Sequence, residues 1–299
     1  MNTHPALKTY FQSQIDMNLS KEVQLRHINE FVPSQKQILQ ARDKLKVSEE
    51  LYWAKYYEYY EYPDRQFEWK NGYLEEKFVG NYKNICIAAW LDFVIKCFLY
   101  TNPIAKLIQL EFAFRMALST GISIRKPDFA LVLNENPIAL NGDDRKYNGI
   151  FDLCIESISD SNKKAILRDA VDKKFEYSQS GVKEYYILDE SGNEMAFYRL
   201  NSKCEYQNIE PVDGDIIKSE VLLGFQFRIS DLYRQPSIKE MAEDEVYQNF
   251  VFPYYQQEKQ RAENEKKRAE NEKQRAEKAE LKVKILEEKV SQLEKQIRK

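Results

Sequence analysis

The residues best suited to chemistry are acidic side chains that stand beside apolar strands. Asp128 directly precedes the apolar run FALVL at 129–133, and Glu156 directly follows the run FDLCI at 151–155. Short apolar runs bounded by turn residues are typical of strands, so both carboxylates are predicted to lie at strand ends. An unpaired charge in such a place would be costly, so each acid needs a cation or a proton.

A helix is predicted to follow, between residues 161 and 181, with Gly181 as its C-terminal stop. Asp169, Lys173 and Tyr177 recur at intervals of four, which aligns them along one face of that helix. Lys173 can therefore lean toward the strand ends. Two strand-end carboxylates and a lysine would form a divalent-metal site with a general base or a transition-state stabiliser, as hydrolysis of a phosphodiester requires.

The buried side of this helix is predicted to be apolar, formed by Ile166, Leu167, Ala170, Val171 and Phe175. On a helical wheel Lys174 falls in the middle of that arc and Lys173 at its edge, so geometry alone would make Lys174 the more buried lysine. A lysine in the middle of the arc can pack its methylene chain against the sheet and extend its ammonium group to solvent. Lys173 shares its edge with Asp169 and Tyr177, and it is therefore the predicted functional lysine.

These segments resemble the bacterial Uma-two family, a branch of the PD-(D/E)XK nuclease superfamily, and together they span about residues 48 to 233. The order and spacing of the pieces carry the resemblance, since no single piece is specific. The matching pieces are Pro127-Asp128, DLCIESIS at 152–159, Asp169, Lys173, Tyr177, GVKEYY at 181–186, FEWKNGYL at 67–74 and SEVLLGF at 219–225.

The resemblance implies a magnesium (or manganese) site at which Asp128, Glu156 and the backbone carbonyl of Ser157 ligate the ion. Lys173 would orient or activate the attacking water or stabilise the phosphate, and Tyr177 would support it. The lysine that the superfamily usually carries two residues after the glutamate is replaced here by Ile158. By the resemblance its role would pass to Lys173, which matches the family's spacing to Gly181.

Two further positions are open to more than one interpretation. Glu68, in the segment FEWK, is a secondary site candidate through the resemblance and otherwise an ordinary strand-surface acid. Arg125 and Lys126 could bind a phosphate or could simply neutralise a neighbouring carboxylate. Relatives often carry a histidine near the start of the helix after the first hairpin, where this chain has NYKN at 81–84.

Composition excludes several other classes of function. The only histidines are His4 and His27, which disfavours Ser-His-Asp triads and histidine-metal sites. None of the nine glycines forms a phosphate-cradling loop, which disfavours NTPases and dehydrogenases. A net charge of -3 excludes a generally basic surface, so DNA would have to bind in a local groove or through metal-bridged phosphates.

The cysteines lie in or next to apolar runs without CxxC spacing, which indicates reduced, buried thiols in a cytoplasmic protein. The N-terminus lacks a signal pattern, and the apolar run ICIAAWLDFVIKCFLY is interrupted by Asp92 and Lys96. That run is therefore predicted to be a buried helix, and no membrane association is expected.

Three regions are predicted: a helical N-terminal extension at 1–47, a nuclease-like domain at 48–235, and a charged helix with a coiled coil at 236–299. The fold class is α/β, a restriction-endonuclease-like mixed β-sheet core flanked by helices. In the segment SEELYWAKYYEYYEY at 48–62 the aromatic rings could stack on bases, but the interleaved glutamates favour an amphipathic helix that packs onto the sheet.

The tail from about residue 236 is predicted to be one long helix with a heptad repeat. The first seam position of the heptad is occupied by Ala262, Ala269, Ala276, Val283, Val290 and Ile297. The second seam position is occupied by Glu265, Glu272, Ala279, Leu286 and Leu293. Only the last heptads are apolar at both positions, so the second half is expected to form a parallel dimeric coiled coil. The alternative is a lone helix held by charge pairs.

The function that these observations favour is a Mg²⁺- or Mn²⁺-dependent endonuclease acting on DNA, a homodimer through its C-terminal helix. Two alternatives belong to other classes. One is a coiled-coil interaction protein whose nuclease-like domain binds nucleic acid without cleaving it. The other is a defence or mobile-element factor that is active only with a partner protein bound.

Overall fold

A computed structural model describes residues 44–57, 66–77, 80–109, 112–158 and 166–297. The helices predicted within the first 43 residues lie outside these ranges. The chain divides into two compact units. The first comprises Met1–Phe78 with Gly121–Ile124, and the second comprises Val79–Thr120 with Arg125–Lys299.

The first unit contains a short helix and a small antiparallel sheet. Its elements are α1 (Glu49–Leu51), which continues as a π-helical segment (Tyr52–Tyr57), β1 (Gln66–Lys70), β2 (Tyr73–Lys77) and the part of β5 (Gly121–Arg125) that reaches Ile124. Strand β1 pairs with β2 on one side and with β5 on the other.

A two-residue turn joins β1 to β2, as the Asn71-Gly72 pair predicts. Both residues have positive φ, 49° and 90°, which a type I′ hairpin turn requires and which asparagine and glycine tolerate best. The described part of the aromatic segment is helical and packs on this sheet, where the Tyr52 hydroxyl donates to the carbonyl of Phe67 at 3.0 Å. The prediction that its rings pack onto the sheet is confirmed for these residues.

The second unit is built on a six-stranded mixed sheet. Its elements are α2 (Tyr82–Thr101), β3 (Ala105–Ile108), β4 (Phe114–Leu118), β6 (Phe129–Leu133), β7 (Leu153–Ser157), a π-helical segment (Arg168–Lys173) that continues as α3 (Lys174–Ser180), β8 (Glu184–Leu188), β9 (Ala196–Leu200), β10 (Tyr206–Asn208), β11 (Ile216–Lys218), β12 (Gln226–Arg228), α4 (Ile229–Arg234), α5 (Ile238–Glu243) and α6 (Tyr255–Ile297). The strand order is β10-β9-β8-β7-β6-β3. Strands β7 and β8 run parallel, and each of the other neighbouring pairs is antiparallel.

Helices cover both faces of this sheet, which makes the fold mixed α/β as predicted. Leu131, Ile155 and Tyr186 point to one face and pack in a cluster with the apolar side chains of α2. Their neighbours Ala130, Cys154 and Tyr185 point to the other face and pack with Tyr177. This alternation is the period-two pattern of a strand that is buried on both sides.

Helix α2 is the apolar segment predicted to be buried. By length and composition it could cross a membrane, but half of its most apolar stretch is buried inside the protein. Asp92 and Lys96, which interrupt the apolar run, form an ion pair at 2.7 Å, so the two charges compensate each other one turn apart.

Two expectations about the later part of the chain are wrong. The thiol of Cys204 is exposed. The long helix begins at Tyr255 rather than near 236, because Val246, Tyr247, Phe250 and Val251 pack into the core first.

Candidate active site

Two acidic residues meet where β6 begins and β7 ends. The antiparallel register pairs Phe129 with Ile155 and Ala130 with Cys154, so one step further along Asp128 lies opposite Glu156. Directly opposed residues of antiparallel strands have neighbouring side chains on one face of the sheet. The backbone N–H of Ser157 donates to Asp128 Oδ2 at 2.7 Å, which holds the aspartate against the end of β7.

Glu156 is buried and lies against two residues of the helix that follows β7. The ammonium Nζ of Lys173 lies 2.9 Å from Glu156 Oε1, and the hydroxyl of Tyr177 donates to the same oxygen at 2.7 Å. Lys173 exposes 1% of its surface and Tyr177 none, so both contacts are shielded from solvent. The structure therefore brings together four of the residues that the sequence singles out: Asp128, Glu156, Lys173 and Tyr177.

Asp169 supplies a second carboxylate to Lys173. Its Oδ1 lies 2.9 Å from Lys173 Nζ, at an angle that makes the contact electrostatic rather than a directed hydrogen bond. The Tyr185 hydroxyl of β8 donates to the Asp169 carbonyl at 2.9 Å. Burial, together with the nearby charges of Glu156 and Asp169, raises the pKa of Tyr185 well above its ordinary value, so this hydroxyl stays a neutral donor.

The buried face of the helix is largely polar. Of the predicted apolar arc, only Ile166 and Ala170 pack against the core, and the prediction is wrong for the other three residues. Leu167, Val171 and Phe175 are exposed by 60%, 58% and 46% of their surfaces. The buried residues are instead Arg168, Asp169, Lys173, Glu176, Tyr177 and Ser178. The charged side of the helix faces inward because several of its charges have partners of opposite charge there. A helical wheel based on hydrophobicity alone therefore predicts the wrong buried face.

Lys173, not Lys174, is therefore the buried lysine. Lys174 is half-buried, and its ammonium sits 3.8 Å from the centre of the Tyr198 ring, a cation–π contact. The geometric expectation that Lys174 lies deeper is wrong.

The shape of the helix fixes these positions. Residues 168–173 form a π-helical segment, a wide turn that is often found at functional sites. The helix then ends at Gly181, whose φ of 94° is the left-handed conformation of a C-terminal cap. The N–H of Val182 closes this end on the Tyr177 carbonyl at 3.0 Å, so the turn that leads into β8 also anchors the site tyrosine.

Arg125 has a structural partner. Its Nε and Nη2 donate to the two carboxylate oxygens of Glu176 at 2.6 and 2.8 Å, and both side chains are fully buried. This bidentate pair joins the end of β5 to α3. Of the two interpretations left open by the sequence, neutralisation of a carboxylate is the one that the structure supports for Arg125.

The start of α2, where relatives often carry a histidine, holds two asparagines with structural contacts. The side chain of Asn81 caps the helix by accepting from the N–H of Asn84 at 3.0 Å. Asn84 Oδ1 accepts from the N–H of Glu190 at 2.8 Å, and its carbonyl lies 3.5 Å from the Ser157 hydroxyl. These contacts tie α2 to the ends of β7 and β8.

Glu68 lies in the first unit, in β1, opposite Glu75 of β2, and it is fully buried. Glu68 is therefore not an ordinary strand-surface acid. Its role in the site stays a prediction.

The donor atoms at the strand ends suit a hard cation. Asp128, Glu156 and the Ser157 carbonyl offer only oxygen ligands, and Mg²⁺ is commonly held by one or two carboxylates with water completing its shell. Within the described part of the chain there is no group of three or more histidine, cysteine or acidic side chains arranged to hold a metal. Two carboxylates and one carbonyl would fit an ion that keeps several of its waters.

Sequence reasoning overlooked two residues beside this cluster. Tyr185 gave no signal, because a tyrosine in an apolar strand is an ordinary core residue. Arg168 was overlooked because it lies next to the arc expected to be buried and apolar.

Comparison with known proteins gives a family match. Residues 53–230 match the profile of the Uma2 family, described as "Putative restriction endonuclease". A crystal structure of a nuclease assigned to DUF820 from Anabaena variabilis ATCC 29413, described as putative, is similar with a TM-score of 0.44 and 16% identity, covering 56% of this chain and 90% of that one. No match is found among curated proteins. Because the family profile spans more than half of the sequence, the chain belongs to the Uma2 family.

Proposed function

We propose that this protein is a metal-dependent endonuclease that hydrolyses phosphodiester bonds of DNA. The observation that carries the proposal is the placement of Lys173 Nζ 2.9 Å from Glu156 Oε1, on the carboxylate that stands opposite Asp128. Two carboxylates and a lysine at one strand end are the groups that such hydrolysis needs. Membership of a family described as "Putative restriction endonuclease" supports the same reaction class.

Asp128, Glu156 and the Ser157 carbonyl would hold Mg²⁺ or Mn²⁺. The ion, when bound, supplies Lewis-acid polarisation of the phosphate and acidifies a bound water. Lys173 places a positive charge beside the reacting phosphate, where it stabilises developing negative charge or orients the water. Tyr177 fixes the carboxylate of Glu156 through its 2.7 Å hydrogen bond.

The charge balance around Lys173 supports this assignment. A buried ammonium needs an anionic partner, and Lys173 has two, Glu156 and Asp169, each at 2.9 Å. Glu156 can therefore turn toward a cation without leaving Lys173 unpaired, because Asp169 remains. Asp169 is a positioning residue in this scheme.

The proposed architecture is a restriction-endonuclease-like core at 48–235 followed by a dimerising helix, in a cytoplasmic protein. Val283, Leu286 and Val290 each expose more than half of their surface on α6, at the seam positions of the heptad. An exposed apolar seam on a charged helix is the pattern of a coiled coil that pairs with a second copy. A dimer would present two sites to one DNA duplex.

The test is cleavage of supercoiled plasmid by the purified full-length protein with Mg²⁺ or Mn²⁺, beside EDTA and beside Asp128→Asn. We expect nicked or linear product only with metal and only from wild type. If the protein binds DNA but does not cleave it with either Mg²⁺ or Mn²⁺, the result would favour the alternative of an interaction protein that only binds nucleic acid. Cleavage that appears only when cell extract is added would favour the partner-dependent factor.

A further inference from the structure

Among the residues that the structure describes, Arg168 is a buried arginine for which no counter-charge is found. It is the first residue of the π-helical segment and exposes 8% of its surface. Its Nε is buried and has no hydrogen-bond partner, and no ion pair involves it within the described ranges of the chain. Arginine stays protonated in proteins, so this charge cannot be relieved by losing a proton.

This absence of a partner is unusual for the molecule. Another buried cation, Arg125, is held bidentately by Glu176. Lys173, five residues after Arg168, has two carboxylates. A buried charge left unpaired is costly, so a site of this kind is expected to be completed by an anion from outside the chain.

The position of Arg168 indicates what that anion is. Asp169, its direct neighbour, touches Lys173, which in turn touches Glu156. Leu167 and Val171 point outward, so Arg168, Asp169 and Lys173 share the inward side of the helix. A guanidinium matches two oxygens of a phosphate in a fork geometry, and its charge needs no metal.

We infer that Arg168 binds a backbone phosphate of the DNA strand beside the one that is cleaved, and so positions the substrate at Glu156 and Lys173. The inference rests on the proposed nuclease function. The protein carries a net charge of -3, so its affinity for DNA has to come from a few local cations of this kind.

The experiment measures binding of a fluorescein-labelled DNA duplex by fluorescence anisotropy in EDTA, where no cleavage occurs, over a series of salt concentrations. The variants are Arg168→Gln, Arg168→Lys, and Arg261→Gln as the control. Arg261 lies on α6, is mostly exposed and pairs only with Glu258 and Glu265 within the described residues, so its substitution makes the same charge change away from the sheet.

We expect Arg168→Gln to weaken binding about tenfold and to reduce the slope of log Kd against log salt by about one. Arg168→Lys should bind with intermediate affinity, because it keeps the charge and loses the fork. Arg261→Gln should bind like wild type. The melting temperature of Arg168→Gln should be unchanged or higher, because the substitution removes an unpaired buried charge.

Wild-type affinity and salt slope in Arg168→Gln would overturn the inference, and so would a fall in its melting temperature that accompanies weaker binding. Inorganic phosphate could also raise the melting temperature of a wild-type protein that does not bind the duplex. That result would show that the anion is free phosphate and not DNA, and it would also overturn the inference. If wild type cleaves DNA while Arg168→Gln binds DNA normally, only this inference fails. If wild type neither binds nor cleaves DNA, the proposed function fails with it.

Discussion

The ammonium of Lys173 and the carboxylate of Glu156 form a buried ion pair 2.9 Å long that joins the helix to the end of β7. Glu156 stands opposite Asp128 on the neighbouring strand, so the lysine sits at the side of a pair of carboxylates. The ion pair therefore fixes the lysine where the proposed reaction needs it.

Metal binding should depend on both carboxylates. We expect Asp128→Asn and Glu156→Gln each to weaken Mn²⁺ binding, measured by isothermal titration calorimetry, by about tenfold or more, since each removes one of two anionic ligands. Asp172→Asn is the matched control, because this exposed acid lies on the same helix and faces outward. Unchanged Mn²⁺ affinity in both site variants would rule out the proposed ligands.

Tyr177→Phe should separate two roles of Tyr177, the positioning of Glu156 by its hydroxyl and the packing of its ring in the core. The ring stays, but the hydrogen bond to Glu156 is lost, so we expect a loss of about 1 to 3 kcal/mol in the free energy of unfolding. We also expect a fall of about tenfold in the cleavage rate, which corresponds to about 1.4 kcal/mol of barrier.

Tyr206→Phe is the control for this variant, because its hydroxyl donates instead to the Val182 carbonyl at 2.8 Å. It should lower stability without a comparable effect on cleavage. If Tyr177→Phe cleaves DNA as fast as wild type, the hydrogen bond has only a structural role.

Much of the site could be predicted from local pattern. The apolar run at 129–133 and the glycine at 181 correctly predicted β6 and the helix end, because each rests on a short-range preference of strand or cap. The spacing of four between Asp169 and Lys173 likewise predicted that they share one face of the helix, where they form an ion pair.

The orientation of the site helix could not be predicted from hydrophobicity. Leu167, Val171 and Phe175 form an apolar stripe that faces outward, because the inward face is occupied by charges whose partners come from distant segments. Glu176 is compensated by Arg125, 51 residues away, which no helical wheel can show. Long-range charge pairing of this kind is visible only once the strands are placed.

The Arg125–Glu176 pair should behave as a buried structural bridge. Arg125→Met leaves a buried carboxylate without its cation, so we expect a loss of about 3 to 5 kcal/mol in the free energy of unfolding, measured with urea. Combined with Glu176→Met, the loss should become much smaller, because neither charge then remains.

The exposed Lys259–Glu243 pair serves as the control for this prediction. Both of its side chains are exposed by more than two fifths, so Lys259→Met should have little effect on the free energy of unfolding. An equal, small effect of Arg125→Met would show that the buried pair does not stabilise the fold.

Self-association should depend on the seam of α6. Leu286→Glu places a charge at a seam position, and we expect it to lower the mass measured by light scattering from that of a dimer to that of a monomer. Ile285→Glu is the control, since Ile285 is an exposed neighbour of Leu286 that lies off the seam. A monomeric wild type at high concentration, or equal effects of both substitutions, would contradict the coiled coil.

The most direct measurement compares Lys173→Met with Lys174→Met in plasmid cleavage with Mg²⁺ and with Mn²⁺, with far-UV circular dichroism to verify folding. Both substitutions remove one adjacent charge of the same helix, but only Lys173 contacts Glu156. We expect no detectable cleavage by folded Lys173→Met and near wild-type cleavage by Lys174→Met. Wild-type cleavage by Lys173→Met, or loss of cleavage confined to Lys174→Met, would contradict the assignment of Lys173 as the catalytic lysine.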